Sequence, residues 1–450
     1  MDFLTRVKGW FSQMFGASDV TRALGVKPAA TSEMQSRMKL WSDMYAGDAP
    51  WVTDYVKSLR LEAGIVREFA NITVGEMSSS VSVPALDALY QTAIRRLSQR
   101  MQAGLASGAM IIKPLPDGNV QYIPQNAFIP IRYDSAGRLV EVIFPETIRE
   151  EGRFYTRLEW HKLDASGLTI VNRAYISRNA DTLGLEIPLT ARDEWSAILP
   201  EVRYAGVTRP VFGYFVTPID NTIDGSFSGV SVFDAAIDKI RKADEQDARL
   251  KWEFESGERA IHVDDIALRV RKDKDGKPEQ STAKLNRRLY RGLNLSPGEG
   301  KELFSEFSPE FRDASIINGM EEYKREIEFT VGLAYGDISN PNAVERTATE
   351  IRAAKQRKFN TVSAIQANLR DCLDDLVFAL AFYSAKTLSG YEFICDFKDS
   401  ILSDEDAERA HDERMVGMGV MSLAEFRSKW MGEPLDVAEK NLPAAASVLP

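Results

Sequence analysis

Two cysteines and three histidines in 450 residues leave little material for disulfide or metal chemistry. Cys372 and Cys395 fall in apolar helix or strand contexts, which predicts no disulfide framework and favours a reducing assembly compartment. His161, His262 and His411 are widely separated, which argues against a His/Cys metal site. No run of about 18 uncharged apolar residues occurs, so nothing is expected to span a bilayer. There is no Gly-x-x-x-x-Gly-Lys-Ser/Thr phosphate loop, His-Glu-x-x-His, Cys-x-x-Cys or dinucleotide fingerprint, and no cofactor is expected. A cationic excess is also missing. The formal net charge of −10 weighs against a protein that grips nucleic acid by neutralising phosphates, though not against one that lets it slide past.

What remains is an ordinary folded composition, 44% apolar and 27% charged, in a chain long enough for roughly two to four structural units. Residues 1–15 are amphipathic without the apolar core or cleavage site of a signal peptide, and read as a docking helix. Residues 32–77 have a helical pattern, with Met38, Trp41, Met44 and Tyr45 on one stripe and Trp51, Val52, Tyr55, Val56 and Leu59 on the next. A second helical block covers 84–106. The period then changes to that of strands. Met110–Lys113 and Val120–Ile123 flank a Pro-Asp-Gly-Asn turn, and 128–133 and 138–144 flank Asp-Ser-Ala-Gly, both hairpin signals. On a further strand Phe154, Thr156, Leu158 and Trp160 share one face, leaving Tyr155, Arg157, Glu159 and His161 on the other. Glu159 and His161 have the chemistry of an acid/base pair, but on a half-exposed strand they read as solvated polar positions with no nucleophile beside them.

The Gly- and Ser-rich stretch 218–231 is a loop entering a helix. It is not a nucleophile elbow, because the centre of Gly225 to Gly229 is Phe227 rather than serine. Residues 231–255 carry Phe233, Ile237, Ile240, Ala243 and Leu250, a rod of roughly 40 Å that Gly257 is placed to end. Strand and loop character returns over 259–312. Between Arg269 and Arg291 nine basic residues stand against three acids, a basic insert on an acidic protein and a candidate contact for DNA or an acidic partner.

A second rod follows, with Ile316, Met320, Tyr323, Ile327 and Val331 on its apolar stripe and Glu321, Glu322, Lys324, Arg325 and Glu328 on its other faces. It should stop near Gly332–Gly336. Thr347-Ala348-Thr349-Glu350 fits a capping box. From it a helix on the order of 60 Å long is expected, with a stripe of Ile351, Lys355, Phe359, Val362, Ile365, Leu369, Leu373, Leu376 and Leu380. Residues 391–397 read as a short strand and 405 onwards as a charged helix. Asp404-Glu405-Asp406-Ala407-Glu408 is not a calcium loop, since Arg409 stands where the sharp turn needs glycine. Residues 415–430 read as a helix–turn–helix hairpin with Ser422 capping the second helix, and 443–450 as a disordered tail.

The segment Gly332-Leu333-Ala334-Tyr335-Gly336-Asp337, a polar loop, and then Arg346-Thr347-Ala348-Thr349-Glu350-Ile351 resembles the channel-lining segment of tailed-bacteriophage portal proteins, the head–tail connectors of long-stem siphophage type. Trp41-Ser42-Asp43-Met44-Tyr45 and Pro50-Trp51 resemble the N-terminal segment of that family. Tyr155 to His161 with Asn172 to Ser177 resemble its wing. The likeness runs from about Trp41 to Pro434 and rests on the order of the segments. It implies an α+β, mainly helical portal fold with a β-rich wing, a two-helix stem, a small clip, a long helix and a helical crown. The implied division is 1–228 for the docking segment and wing, 229–257 for the stem helix, 258–312 for the clip and 313–334 for the second stem helix. The channel loop would then be 335–346, the long helix 347–388 and the crown with its tail 389–450.

The resemblance also implies a ring of twelve copies at one capsid vertex, through which double-stranded DNA is packaged and ejected. The partners implied are the large terminase, the head-completion adaptor, and the major capsid and scaffolding proteins, in the virion and in the host cytoplasm during assembly, with no membrane. Asn340, Asn342, Glu345 and Arg346 would line the DNA channel. Arg269, Arg271, Lys272, Lys274, Lys277, Arg287, Arg288 and Arg291 would face the motor and then the adaptor. Ile237, Ile240, Ile316, Met320 and Ile327 would pack the stem and ring. Such a chain is not an enzyme, because the motor hydrolyses the ATP. The alternatives are a non-channel scaffold or baseplate component, or a metal-dependent nuclease built on acids such as Asp404, Asp406 and Glu408.

Overall fold

The computed structural model describes residues 17–75, 77–115, 118–258, 260–264, 275, 290–293, 304–341, 348–384, 390–397 and 405–442. The expected N-terminal docking helix, the Thr347 capping box and the C-terminal tail lie outside these residues. Within them the fold is mixed α+β, its pairings antiparallel but for one.

A short helix α1 (Ala17–Leu24) precedes α2 (Ser32–Ala46), whose first turn is capped by Thr31: its Oγ1 accepts the Met34 N–H at 3.2 Å. Gly47, at φ 89°, ends α2 in the left-handed conformation that glycine adopts without strain. The helical expectation for 51–59 fails here. This stretch is an irregular loop, because its donors find better partners than helix carbonyls. Thr53 Oγ1 accepts the Tyr55 and Val56 N–H groups, and the Leu59 N–H and Trp51 Nε1 both donate to Asp244 at 2.8 Å, a residue far along the chain. Helix then resumes as α3 (Leu61–Gly75), followed by β1 (Met77–Val81), α4 (Pro84–Ile94) and α5 (Leu97–Ser107).

Both expected hairpins form. Strands β2 (Ala109–Pro114) and β3 (Val120–Pro124) pair antiparallel, as do β4 (Ile129–Tyr133) and β5 (Leu139–Glu150). The sheet extends through β6 (Arg153–Asp164), β7 (Gly167–Ser177) and β8 (Leu185–Ile187), and β9 (Glu201–Ala205) pairs with the other end of β7. Strand β10 (Gly213–Val216) adds to β2 on its free edge. Leu158 and Trp160 of β6 pack under Val20 of α1, as the alternation requires. The opposite face is buried as well. Glu159 and His161 are 8% and 1% exposed, so the expectation that they are solvated is overturned: β2 and the rings of Phe144 and Phe212 lie over them.

After the 218–231 loop, a 3-10 turn leads into α6 (Ile237–Ser256), which starts six residues later than the pattern predicted. Beyond it lie β11 (Ala260–Asp264), β12 (Tyr290–Leu293) and β13 (Phe304–Phe307), with β11 in the middle, parallel to β12 and antiparallel to β13. The chain returns along α7 (Asp313–Val331) and then α8 (Ala348–Tyr383), 36 residues or about 54 Å long. Helix α8 is the spine of the main core. Val362, Ile365, Leu369, Cys372, Leu373, Leu376 and Leu380 are buried in the main core, where α8 lies against α3, α4, β2 and β10. Lys355 is exposed, and the neighbouring Ala354 takes the buried position that the stripe gave to it. Arg209, just after β9, grips α8 through Asp374 at 2.6 Å and Asp375 at 3.0 Å. Strand β14 (Phe393–Phe397) pairs with β1 and puts Cys395 in the same core.

The C-terminal helices are α9 (Glu405–Gly417), α10 (Leu423–Met431) and α11 (Leu435–Lys440). Ser422 and Glu425 form the expected capping box at the start of α10, at 3.1 and 2.8 Å. No helix among the described residues is long and apolar enough to cross a membrane.

Candidate functional site

Helices α6 and α7 form an antiparallel hairpin whose rungs can be followed end to end. Arg312 holds Glu253 at the tip end through Nη2 at 2.7 Å and its own N–H at 2.9 Å. Gln246 Nε2 donates to the Ile316 carbonyl at 3.2 Å in the middle, and Lys239 pairs with Glu326 near the root. Ile237, Ile240 and Ile327 are buried inside one chain at the root, whereas Ile316 and Met320 are half-buried further out. The root is fastened by two tryptophans. Trp41 Nε1 donates to Asp234 at 2.7 Å, beside Arg37, and Trp51 Nε1 donates to Asp244. Those tryptophans belong to the two N-terminal motifs named above, and they tie α2 and the 51–59 loop to the root of the hairpin.

The far end of the hairpin carries the three strands β11–β13. Arg291, on β12, stands opposite His262. Arg269, Arg271, Lys272, Lys274, Lys277, Arg287 and Arg288 lie outside the described residues. Exposed aromatic side chains line this end, with Phe254 and Phe311 in contact at 5.4 Å and Trp252 edge-on to Tyr55 at 6.5 Å.

At the near end Gly332 ends α7 with φ 86°, and the chain makes a tight turn through 333–341. The sequence reading placed Glu328 on a polar face; it is 0% exposed, turned inward to the turn that follows. Its Oε1 accepts the N–H groups of Gly336, Ile338 and Ser339 at 3.1, 2.6 and 2.7 Å, and its Oε2 accepts the Ser339 hydroxyl at 2.8 Å. Asn340 donates its N–H to Glu321 at 2.7 Å. Burial pushes the Glu321 carboxyl up, but that bond and the Lys324 ammonium outweigh it and hold Glu321 below the usual carboxylate range. Asp337 pairs at 3.0 Å with Lys358 of α8, which also reaches Glu68 of α3 at 3.1 Å. The first half of the expected channel loop is therefore tied to three helices. Asn342, Glu345 and Arg346, its second half, lie outside the described residues.

Arg357 of α8 stacks on Phe329 at 4.6 Å and on Tyr335 at 5.3 Å, and its Nε and Nη2 have no hydrogen-bond acceptor among the described residues. It lines a cleft of about 530 Å³ with Asp220, Asp234 and Asn360. Neither Arg357 nor Glu328 announces itself in sequence, because each lies beside an apolar stripe and takes its meaning from partners on another element.

The buried polar groups of the sheet form a network centred on Glu159. Lys113 and His161 both bind Glu159 Oε1, the latter at 2.7 Å, while Arg157 reaches Glu159 at 3.1 Å, Asn172 at 2.8 Å and Glu146 at 2.9 Å. Burial alone would neutralise Glu159, but Lys113, His161 and Arg157 hold it well below its ordinary value. Burial pushes His161 down, leaving the imidazole neutral. Lys113 and Arg157 are the charged partners of the Glu159 carboxylate, Arg157 also pairs with Glu146, and the Nδ1 of the neutral His161 has no hydrogen-bond partner among the described residues. Of the acids in the nuclease alternative, Asp404 lies outside the described residues, and among those described no group of three or more His, Cys, Asp or Glu is placed to hold a metal.

No protein-family model and no curated protein matches the chain. Among solved structures it is similar to a chain of the virion of a native gene transfer agent particle, at 13% identity and TM-score 0.44, over 93% of this chain and 99% of that one. A chain of the neck of the native particle, computed with C12 symmetry, matches at 13% identity and TM-score 0.47, over 92% of this chain and 98% of that one. A chain of the neck of the empty particle, computed with C6 symmetry, matches at 14% identity and TM-score 0.45, with the same two coverages.

Proposed function

We propose that this chain is a portal subunit, non-enzymatic, that assembles with copies of itself into a ring of twelve around a channel for double-stranded DNA. The observation that carries this reading is the α6–α7 hairpin, with a small β tip at one end and a pinned turn leading into the 36-residue α8 at the other. That is the order of stem, clip, stem, channel loop and long helix that the sequence resemblance calls for. The tip with its basic insert would face the large terminase during packaging and the head-completion adaptor afterwards. The capsid and scaffolding proteins would contact the outer body.

The charge suits passage rather than grip. Twelve copies at −10 each give a ring of about −120, which repels phosphates over most of the bore and keeps sliding cheap. Contact would be left to the loop, where Arg346 would be the cation that meets a phosphate and Asn340, Asn342 and Glu345 would add polar groups.

The test is a negative-stain image of the purified oligomer viewed down its axis. A ring with a central hole supports the reading; a compact monomer at every concentration overturns it. For the loop, Arg346→Ala should leave rings intact and reduce packaged or retained DNA. Normal titre and genome content in that variant would remove the loop assignment.

A further inference from the structure

Glu328 adjoins Ile327 on α7 and is as thoroughly buried as its apolar neighbour. A carboxylate removed from water is costly unless donors fill its lone pairs. Here four donors do so, the Gly336, Ile338 and Ser339 N–H groups and the Ser339 hydroxyl, and none is a cation. Its main-chain oxygen takes two more, the N–H groups of Gly332 and Leu333 at 3.1 and 2.9 Å. All six belong to the segment that follows the helix. Gly336, at φ +96°, lets the turn fold back so that successive N–H groups converge on one anion. An apolar side chain would serve the core at this position, as Ile327 and Val331 do, so the acid is explained by what it holds.

We infer that the Glu328 carboxylate is a latch that makes helix α7 and the turn 334–340 one mechanical body, so that the channel loop follows any displacement of the stem. The inference rests on the portal reading above. Lys358 extends the body: by joining Asp337 to Glu68 it ties the same turn to α8 and α3. Glu328 is thus a positioning residue, acting on the DNA-facing residues through the backbone that carries them.

Two substitutions separate latching from bulk stability. Glu328→Leu removes every side-chain acceptor, whereas Glu328→Gln can turn its one oxygen to the three N–H groups and its amide to the Ser339 hydroxyl. Hydrogen exchange on assembled rings should show the Gly336, Ile338 and Ser339 amides exchanging at least about tenfold faster in Glu328→Leu, the loss of charge-assisted bonds. In Glu328→Gln the increase should be smaller. In particles complemented with these variants, packaged DNA per filled head should fall for Glu328→Leu and recover for Glu328→Gln, at equal ring yield. Unchanged exchange in Glu328→Leu overturns the inference, as does faster exchange with full-length packaged DNA. If Glu328→Leu does not assemble, Glu328→Gln decides alone, and unchanged exchange there overturns it. Wild-type protein that forms no ring defeats the portal reading instead, a result distinct from each of these.

Discussion

Glu62 opens α3 with its side chain shut away from water, and among the described residues its Oε1 has no hydrogen-bond donor, although Arg60 Nε stands 3.6 Å from it. Burial first, and the neighbouring Asp244 carboxylate after it, push its carboxyl up to about 7, against the opposing pull of its own main-chain N–H, Arg60 and Ser58. Because the folded chain holds this proton more tightly than the unfolded one, the stability cost is absent below the ordinary carboxyl value. It grows as pH rises, and is complete above about 7. Glu62→Gln keeps the neutral form at every pH. It is expected to melt like the wild type near pH 4.5 and to be more stable by up to about 3 kcal/mol at pH 8, measured by thermal denaturation at both pH values. Equal melting at pH 8 would refute the buried-carboxyl account. None of this was legible in the sequence, where Glu62 is one more acid at a helix start. The same holds for Glu159: alternation along β6 assumes one wet face, and Lys113, Phe144 and Phe212 arrive from elsewhere to dry it.

Elements were far more legible than residues, wherever a stripe faces a single neighbour. The hairpins at 115–119 and 134–138, the stop of α7 at Gly332 and the Ser422 capping box followed from local chemistry alone. Residues 51–59 defeated the same reasoning because their apolar spacing serves a loop held by Asp244, and a partner that distant leaves no local trace. Gly332 shows why the stop is sharp. Beyond its left-handed backbone, a Cβ there would stand 2.4 Å from Thr361 Oγ1 on α8. Gly332→Val is therefore expected to cost about 1–3 kcal/mol in strain and to displace the turn from α8. A fall of several degrees in the melting temperature of the protein would bear this out, and an unshifted melt would mean the turn has room that its geometry denies.

At the scale of the molecule, the root of the α6–α7 hairpin is where hairpin and helical core meet, and Ile327 lies within the largest buried cluster there. Ile327→Asp places an unpaired charge in that cluster. On the portal reading it is expected to abolish ring formation, with monomer or aggregate in size-exclusion chromatography with light scattering; an intact ring would contradict the proposed stem packing. The two thiols have a different bearing on the whole chain. Burial holds Cys372 well above its ordinary value and raises Cys395 to about 11, so neither offers a thiolate at neutral pH. A cysteine introduced at exposed Met418 thus becomes the sole maleimide-reactive position in the native protein. Fluorophores can then be attached and distances tracked by energy transfer, without first mutating the natural sulfhydryls away.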